Sequence, residues 1–305
     1  MSSDSKLDSK DFSIVIRTYN EERHVDKLLR SIYGQKTNKN FEVIIVDSGS
    51  TDATLDIAQK YPTSILRINP NDFSFGRSLN LGIAKTQGEI VILISAHCYP
   101  PYDNWITHIT EPFQDKSVAL VYGKQRGNHK TKYSENQIFK KMFPEQPIWK
   151  QTNPFCNNAN TAIRRSFWKE VPYNEELTGL EDLDWANKML KSGKTITYHS
   201  KATIIHVHEE NPSRIYRRYQ REAIALKKIF PETNFTFIDF IKLFPVNVGL
   251  DIFRAMRDEP KLRHLWEVPI FRFIQYWGTY RGYQYKKPQS ENIKKFYYYP
   301  RSIKK

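Results

Sequence analysis

Four apolar runs in the first hundred residues constrain this chain more than any other feature. FSIVIRTYN, FEVIIVDSGS, TSILRIN and EIVILISAH each open as a hydrophobic stretch and end on polar residues. Between them lie segments with helical spacing. EERHVDKLLRSIYGQ places Val25, Leu28, Leu29 and Ile32 on one face. TDATLDIAQKY is a second such segment, and SFGRSLNLGIAKTQG a third, with Gly88 as its expected C-cap. Continuous apolar strands alternating with helices predict an α/β fold with a mostly parallel sheet covered on both faces. Ligands of such sheets bind beyond the carboxyl ends of the strands. The polar ends, Thr18 to Glu21, Asp47 to Ser50 and Ser95 to His97, are therefore expected to converge on one rim.

The middle of the chain is less regular. VALVYGKQ reads as a strand, and KTKYSENQIFKKMF begins a helix that runs into loops. EDLDWANKMLKSG is a helix closed by Gly193, and KTITYHSKATIIHVH reads as strand segments. From Pro212, SRIYRRYQREAIALKKIF is a basic amphipathic helix with Ile215, Tyr219, Ala223 and Leu226 on one face. The expected organisation is a disordered stretch over 1–11, a catalytic domain over 12–211 and a C-terminal helical extension over 212–305.

Charge narrows the choice of partner. The chain has 305 residues and a formal net charge of +14, which favours nucleic acid, anionic lipid headgroups or phosphorylated substrates. Neither zinc-finger spacing nor an aromatic RNA-binding signature accompanies the charge, which sets nucleic acid aside. The 14% aromatic content argues against disorder. The basic helix and the aromatic, basic tail fit an anionic membrane surface; the alternative is that the helix packs its apolar face on the catalytic domain. Cys98 and Cys156 fit no disulfide framework, so a reducing, cytoplasmic compartment is expected. The polar start MSSDSKLDSKDF is not a signal peptide, and no run of about 18 apolar residues exists to span a bilayer.

VDSGSTD has a chemistry of its own. A carboxylate at a strand end, followed by a glycine-containing turn into a helix, suits a base or ribose. Capping of the next helix by Ser50 or Thr51 is the plainer role, and it is expected to leave Asp47 unoccupied. Together SIVIRTYNEE, VIIVDSGSTDAT, GRSLNLGIAKTQGEIVILISAHCYPPYDNW and GLEDLDWANKMLKSG resemble, in order, the motifs of the GT-A glycosyltransferases of family two, over roughly residues 12 to 210. The SAH triplet and the ending FRFIQYWGTYRGYQ look like bacterial rhamnosyltransferase-type enzymes of surface polysaccharide synthesis.

The resemblance implies a nucleotide-diphosphate sugar donor and a glycan or lipid-linked acceptor. It places Thr18, Tyr19, Glu21 and Asp47 on the nucleoside, with Arg77 and Ser95 toward the phosphates. Asp182 is the implied base of an inverting transfer, with Glu181 beside it orienting a donor or a loop. Read without the resemblance, Glu181, Asp182 and Asp184 only complement a helix dipole. Asn157, Asn158 and Asn160 are offered to sugar hydroxyls, Arg164 and Arg165 to phosphate, and Trp185 to a sugar face or to the core.

Ser95-Ala96-His97 departs from the family's Asp-x-Asp, whose carboxylates hold a divalent cation. Serine is a poor ligand, whereas neutral histidine suits Mn or Zn better than Mg. His206 and His208 alternate on a strand and are expected to face the same side. One reading is a metal site of His97 with His206 or His208. Another is a metal-independent enzyme in which His97 donates to the diphosphate, and a third is a structural histidine. Two further function classes compete: a nucleotidyltransferase, for which RTYNEE lacks the glycine-rich phosphate loop, and a degenerate, non-catalytic carbohydrate-binding scaffold, against which the intact EDLDW argues.

Overall fold

A computed structural model describes residues 10–286. The expected disordered start and the basic tail after Lys286 lie outside the described residues, apart from Lys10 and Asp11. The chain forms two compact units. Among the described residues, the first holds 10–125, 144–174 and 182–206; the second holds 126–143, 175–181 and 207–286.

The first unit is built on the apolar runs. β1 (Phe12–Thr18), β2 (Phe41–Asp47), β3 (Thr63–Arg67) and β4 (Ile90–Ser95) pair in parallel. The eight-stranded order is β3-β2-β1-β4-β7-β6-β8-β5, with β5 (Cys98–Tyr99), β6 (Val118–Arg126), β7 (Asn160–Arg164) and β8 (Thr195–His206). The sheet is mixed, because β7 runs antiparallel to both β4 and β6, and β5 antiparallel to β8. Helices α1 (Val25–Tyr33), α2 (Thr54–Ala58), α3 (Phe75–Ala84), α4 (Trp105–Thr110), α6 (Arg165–Glu170) and α7 (Glu181–Lys191) accompany it.

Local chemistry explains most of these elements. Val25, Leu28, Leu29 and Ile32 are all buried on α1, as their spacing predicts. Asp52, not Ser50 or Thr51, serves the start of α2: its carboxylate accepts from the Thr54 backbone and hydroxyl. α2 is only five residues long, shorter than the expected segment. α3 ends at Ala84, so Gly88 is not its cap but part of the entry into β4. Gly193 does close α7, at φ +75°, with the Lys194 backbone N–H reaching back to Met189. Cys98 and Cys156 are buried free thiols.

The second unit is helical: α5 (Tyr133–Met142), α8 (Pro212–Ile229), α9 (Phe237–Asp258) and α10 (His264–Tyr283). Asn211 caps α8, and Thr236 with Asp239 forms a capping box on α9. α8 and α10 approach closely at Gly282, where a Cβ would lie 2.5 Å from the Gln220 carbonyl. Three ion pairs, buried or half-buried, tie the unit together. Arg272 meets Asp251 at 2.7 Å. Arg218 bridges Glu135 at 2.5 Å and Glu210 at 2.8 Å. Burial opposes the Glu135 charge, but Arg218 and His208 outweigh it and bring its pKa down to about 2. No described helix is long and apolar enough to cross a membrane.

Candidate active site

The carboxyl ends of β1, β2 and β4 form one rim, as the apolar strand pattern predicts. Asp47 closes β2 and is 1% exposed. Its Oδ2 accepts from the backbone N–H groups of Gly49 and Ser50, and its Oδ1 from the hydroxyls of Thr18 and Ser50. Four hydrogen bonds therefore occupy the carboxylate, contrary to the expectation that the turn leaves it unoccupied. Gly49 permits this turn because its φ is +95°, a conformation that a side chain resists. Thr18 is 2% exposed and reaches the site through Asp47. A cavity of about 370 Å³ opens beside the turn, lined by Asp47, Gly49, Ser50, Leu55, Arg67 and Asn69 among others.

The exit of β1 is stitched to the same turn. Asn20, at φ +54°, accepts the Thr51 backbone N–H on its side chain, and its own N–H donates to the Ser50 hydroxyl. Glu21 N–H donates to the Thr54 hydroxyl at 2.7 Å. Tyr19 is half-buried on this loop, and Arg77 is exposed in the first turn of α3.

His97 follows Ser95 in the turn between β4 and β5. Its Nδ1 lies 2.9 Å from Glu21 Oε1. His206 closes β8, is 6% exposed and stacks on His97 with ring centroids 5.1 Å apart. Its Nδ1 lies 2.8 Å from Gln125 Oε1. In each ring the oxygen beside Nδ1 can accept its N–H, which would leave Nε2 as the ligand atom of a metal-binding imidazole. The donor set fits Mn or Zn. β8 ends at His206, so His208 does not continue the alternation on the strand; it belongs to the second unit, where its Nδ1 meets Glu135 Oε1 at 2.7 Å.

Asp182 lies in the first turn of α7 and is 7% exposed. Its Oδ2 accepts the Asn158 backbone N–H at 2.8 Å, and its Oδ1 the N–H of Leu183. The next residue, Ala159, accepts the Ser95 backbone N–H at 3.4 Å. Asp182 therefore lies at the β4 exit, one short segment from Ser95. Glu181 beside it is also buried.

Several expected contacts belong instead to the frame. Trp185 is fully buried, donates to the Val171 carbonyl at 2.6 Å and packs on Tyr173, so it is a core residue, not a sugar platform. Asn160 is fully buried between Trp105 and the Lys124 and Ala202 carbonyls. Asn158 is 4% exposed, and its side chain accepts from the Tyr173 hydroxyl at 3.4 Å. Arg164 meets Glu89 and the carbonyls of Phe113 and Val118, and Arg165 the Gln87 carbonyl. The cause is strand direction. β7 is antiparallel, so Asn160 pairs with Ile94 at the rim while Arg164 pairs with Ile90 at the far end of β4.

Sequence reasoning missed Asn20, Gln125 and the Asn158 backbone. Asn20 carried a signal, since asparagine is enriched at positive φ. Gln125 carried none, because its place depends on a pairing distant in sequence.

Solved structures share this architecture. The mannosyltransferase PcManGT from Pyrobaculum calidifontis, in complex with GDP-Man and Mn2+, matches with a TM-score of 0.61 at 16% identity, covering 89% of this chain and 85% of that one. TarS 1–349 of S. aureus, in complex with UDP-GlcNAc, gives 0.55 at 16% identity over 89% and 90%. The fold is GT-A. Among curated relatives, the O-antigen chain rhamnosyltransferase WbaN of Salmonella anatum is 27% identical over 219 residues, 68% of this chain and 70% of the relative. RfbN of Salmonella typhimurium, likewise an O-antigen chain rhamnosyltransferase, is 29% identical over 220 residues, 68% and 69%. A family model matches residues 13–171, more than half of the chain, and the chain belongs to glycosyl transferase family 2.

Proposed function

We propose that this glycosyltransferase moves a sugar, with inversion, from a nucleotide-diphosphate donor to a hydroxyl of a glycan or lipid-linked glycan. Asp182 serves as the base. The observation that carries the reading is the position of the Asp182 carboxylate: buried, held by the Asn158 N–H, and tied through Ala159 to the Ser95 turn. The nucleoside occupies the cavity beside the Asp47 turn, with Tyr19 and Glu21 on the neighbouring loop and Arg77 toward the phosphates. Asp47 and Thr18 act mainly by shaping that wall. Glu181 orients the start of α7.

The acceptor hydroxyl gives its proton to a carboxylate oxygen of Asp182 as its oxygen bonds to the anomeric carbon. The bond to the diphosphate breaks on the opposite face, which inverts the centre. His97 and His206 would hold a divalent cation, Mn in preference to Mg. When bound, it supplies positive charge to the departing diphosphate. The Salmonella relatives named rhamnosyltransferases support a deoxyhexose donor and a surface-polysaccharide acceptor.

A thermal-shift panel of nucleotides and sugar nucleotides, with and without Mn, tests the reading. A ligand that binds the native state raises its apparent stability. A nucleoside diphosphate and one rhamnosyl or hexosyl donor should each raise the melting temperature, more with Mn present. No shift from any donor in the panel would reject the reading.

A further inference from the structure

Twelve of the fifteen large hydrophobic side chains exposed among the described residues lie between Phe237 and Phe273. On α9, Ile238, Ile241, Val246 and Phe253 fall on one face and are each more than half exposed. On α10, Trp266, Ile270 and Phe273 follow at four- and three-residue steps, with Trp266 76% exposed. The two helices form an antiparallel pair, with Phe240 packed on Trp277 and Asp251 bonded to Arg272. Their outer faces retain apolar side chains that the pair itself does not cover. Patches of this kind mark interaction surfaces.

Charge selects the occupant. Lys242, Arg254, Arg257, Lys261 and Arg263 are exposed among and beside these side chains. The exposed carboxylates of the same stretch, Asp258 and Glu259, pair with Arg257 and Lys261, so the excess positive charge of the face rests on Lys242, Arg254 and Arg263. A second copy of this chain would set these cations against identical cations. An anionic lipid surface complements them, and an exposed tryptophan suits the headgroup level. Neither helix is apolar enough to cross a bilayer, so both would lie along it.

We propose that the outer face of the α9–α10 pair docks on an anionic bilayer surface, apolar side chains toward the acyl boundary and basic ones among the headgroups. This goes beyond the transfer reaction and does not depend on it. It also moves the membrane element away from α8. That helix carries the sequence signal, yet Ile215, Ala223 and Ala225 on it are buried and it packs closely on α10.

Flotation of the full chain on vesicles tests the proposal. Recovery on phosphatidylcholine vesicles containing phosphatidylglycerol should exceed recovery on phosphatidylcholine alone several-fold, and should fall as salt rises. The double variant Phe253→Glu, Trp266→Glu should drop to the neutral-vesicle level while its melting temperature and nucleotide-induced shift match wild type. The lipid-charge and salt arms use the wild-type protein, so they stand even if the variant misfolds. Equal recovery on both vesicles, recovery on neither, or a folded double variant that floats like wild type would overturn it. A wild-type dimer that the double variant converts to monomer would assign the face to a second copy. Binding that arises only on removal of residues 287–305 would assign it to the chain's own tail.

Discussion

Nδ1 of His97 lies 2.9 Å from Oε1 of Glu21, joining the exit of β4 to the exit of β1. The family's usual carboxylate is absent from this turn, but a carboxylate is still engaged, one step further out. In the proposed metal site it would orient the imidazole rather than meet the cation itself. Gln125 would do the same for His206. A histidine with its Nδ1 anchored in this way is a more basic and better directed ligand.

Glu21→Ala should therefore weaken Mn binding about 10- to 100-fold. Nucleotide affinity measured in a chelator should fall less, because Glu21 only flanks the nucleoside cavity. Calorimetric titration of Mn into the folded protein reads the first effect, and nucleotide titration with chelator the second. Unchanged Mn affinity would return His97 to a direct hydrogen-bond role on the diphosphate.

Asp47→Ala should raise the donor Michaelis constant and also lower stability. The carboxylate accepts four hydrogen bonds, and its loss strands buried donors of the turn. A cost of about 2–4 kcal/mol follows, since each unsatisfied buried group costs about 1–3 kcal/mol and part of the turn rehydrates. Urea denaturation measures it. A variant with wild-type stability and a raised Michaelis constant would make Asp47 a ligand contact alone.

The acid limb of stability should depend on Glu135. Its folded pKa of about 2 lies below the ordinary value of 4.5, so it contributes stability above about pH 4.5 that is lost as pH falls toward 2. Glu135→Gln should flatten that limb in denaturation curves taken across this range. Arg218→Met, which leaves Glu135 and Glu210 buried without their guanidinium, should cost about 3–5 kcal/mol at pH 7. Adding Glu135→Leu should recover part of the loss. An acid limb identical in wild type and Glu135→Gln would contradict this account of the network.

The parallel half of the sheet was legible in the sequence because its strands are buried on both faces and read as unbroken apolar runs. The rim residues followed from that. The antiparallel half was not legible. Whether Asn160 or Arg164 stands at the rim depends on the direction of β7, and nothing within five residues encodes it. Trp185 was ambiguous for a related reason: an aromatic residue on an acidic helix fits a sugar or a core equally until Val171 and Tyr173 are in place. The basic amphipathic pattern of α8 does correspond to a buried face, but periodicity reports that a face is buried, not against what.

The most direct test of the account is Asp182→Asn, assayed for transfer at saturating donor with nucleotide affinity measured on the same protein. The amide keeps the size of the side chain and can still accept the Asn158 N–H, but it cannot take the acceptor's proton. Turnover should fall about 100- to 10,000-fold, with nucleotide affinity close to wild type and the melting temperature lowered only by the Leu183 N–H that the amide no longer accepts. A folded Asp182→Asn protein that retains most of its turnover would contradict the assignment of Asp182 as the base.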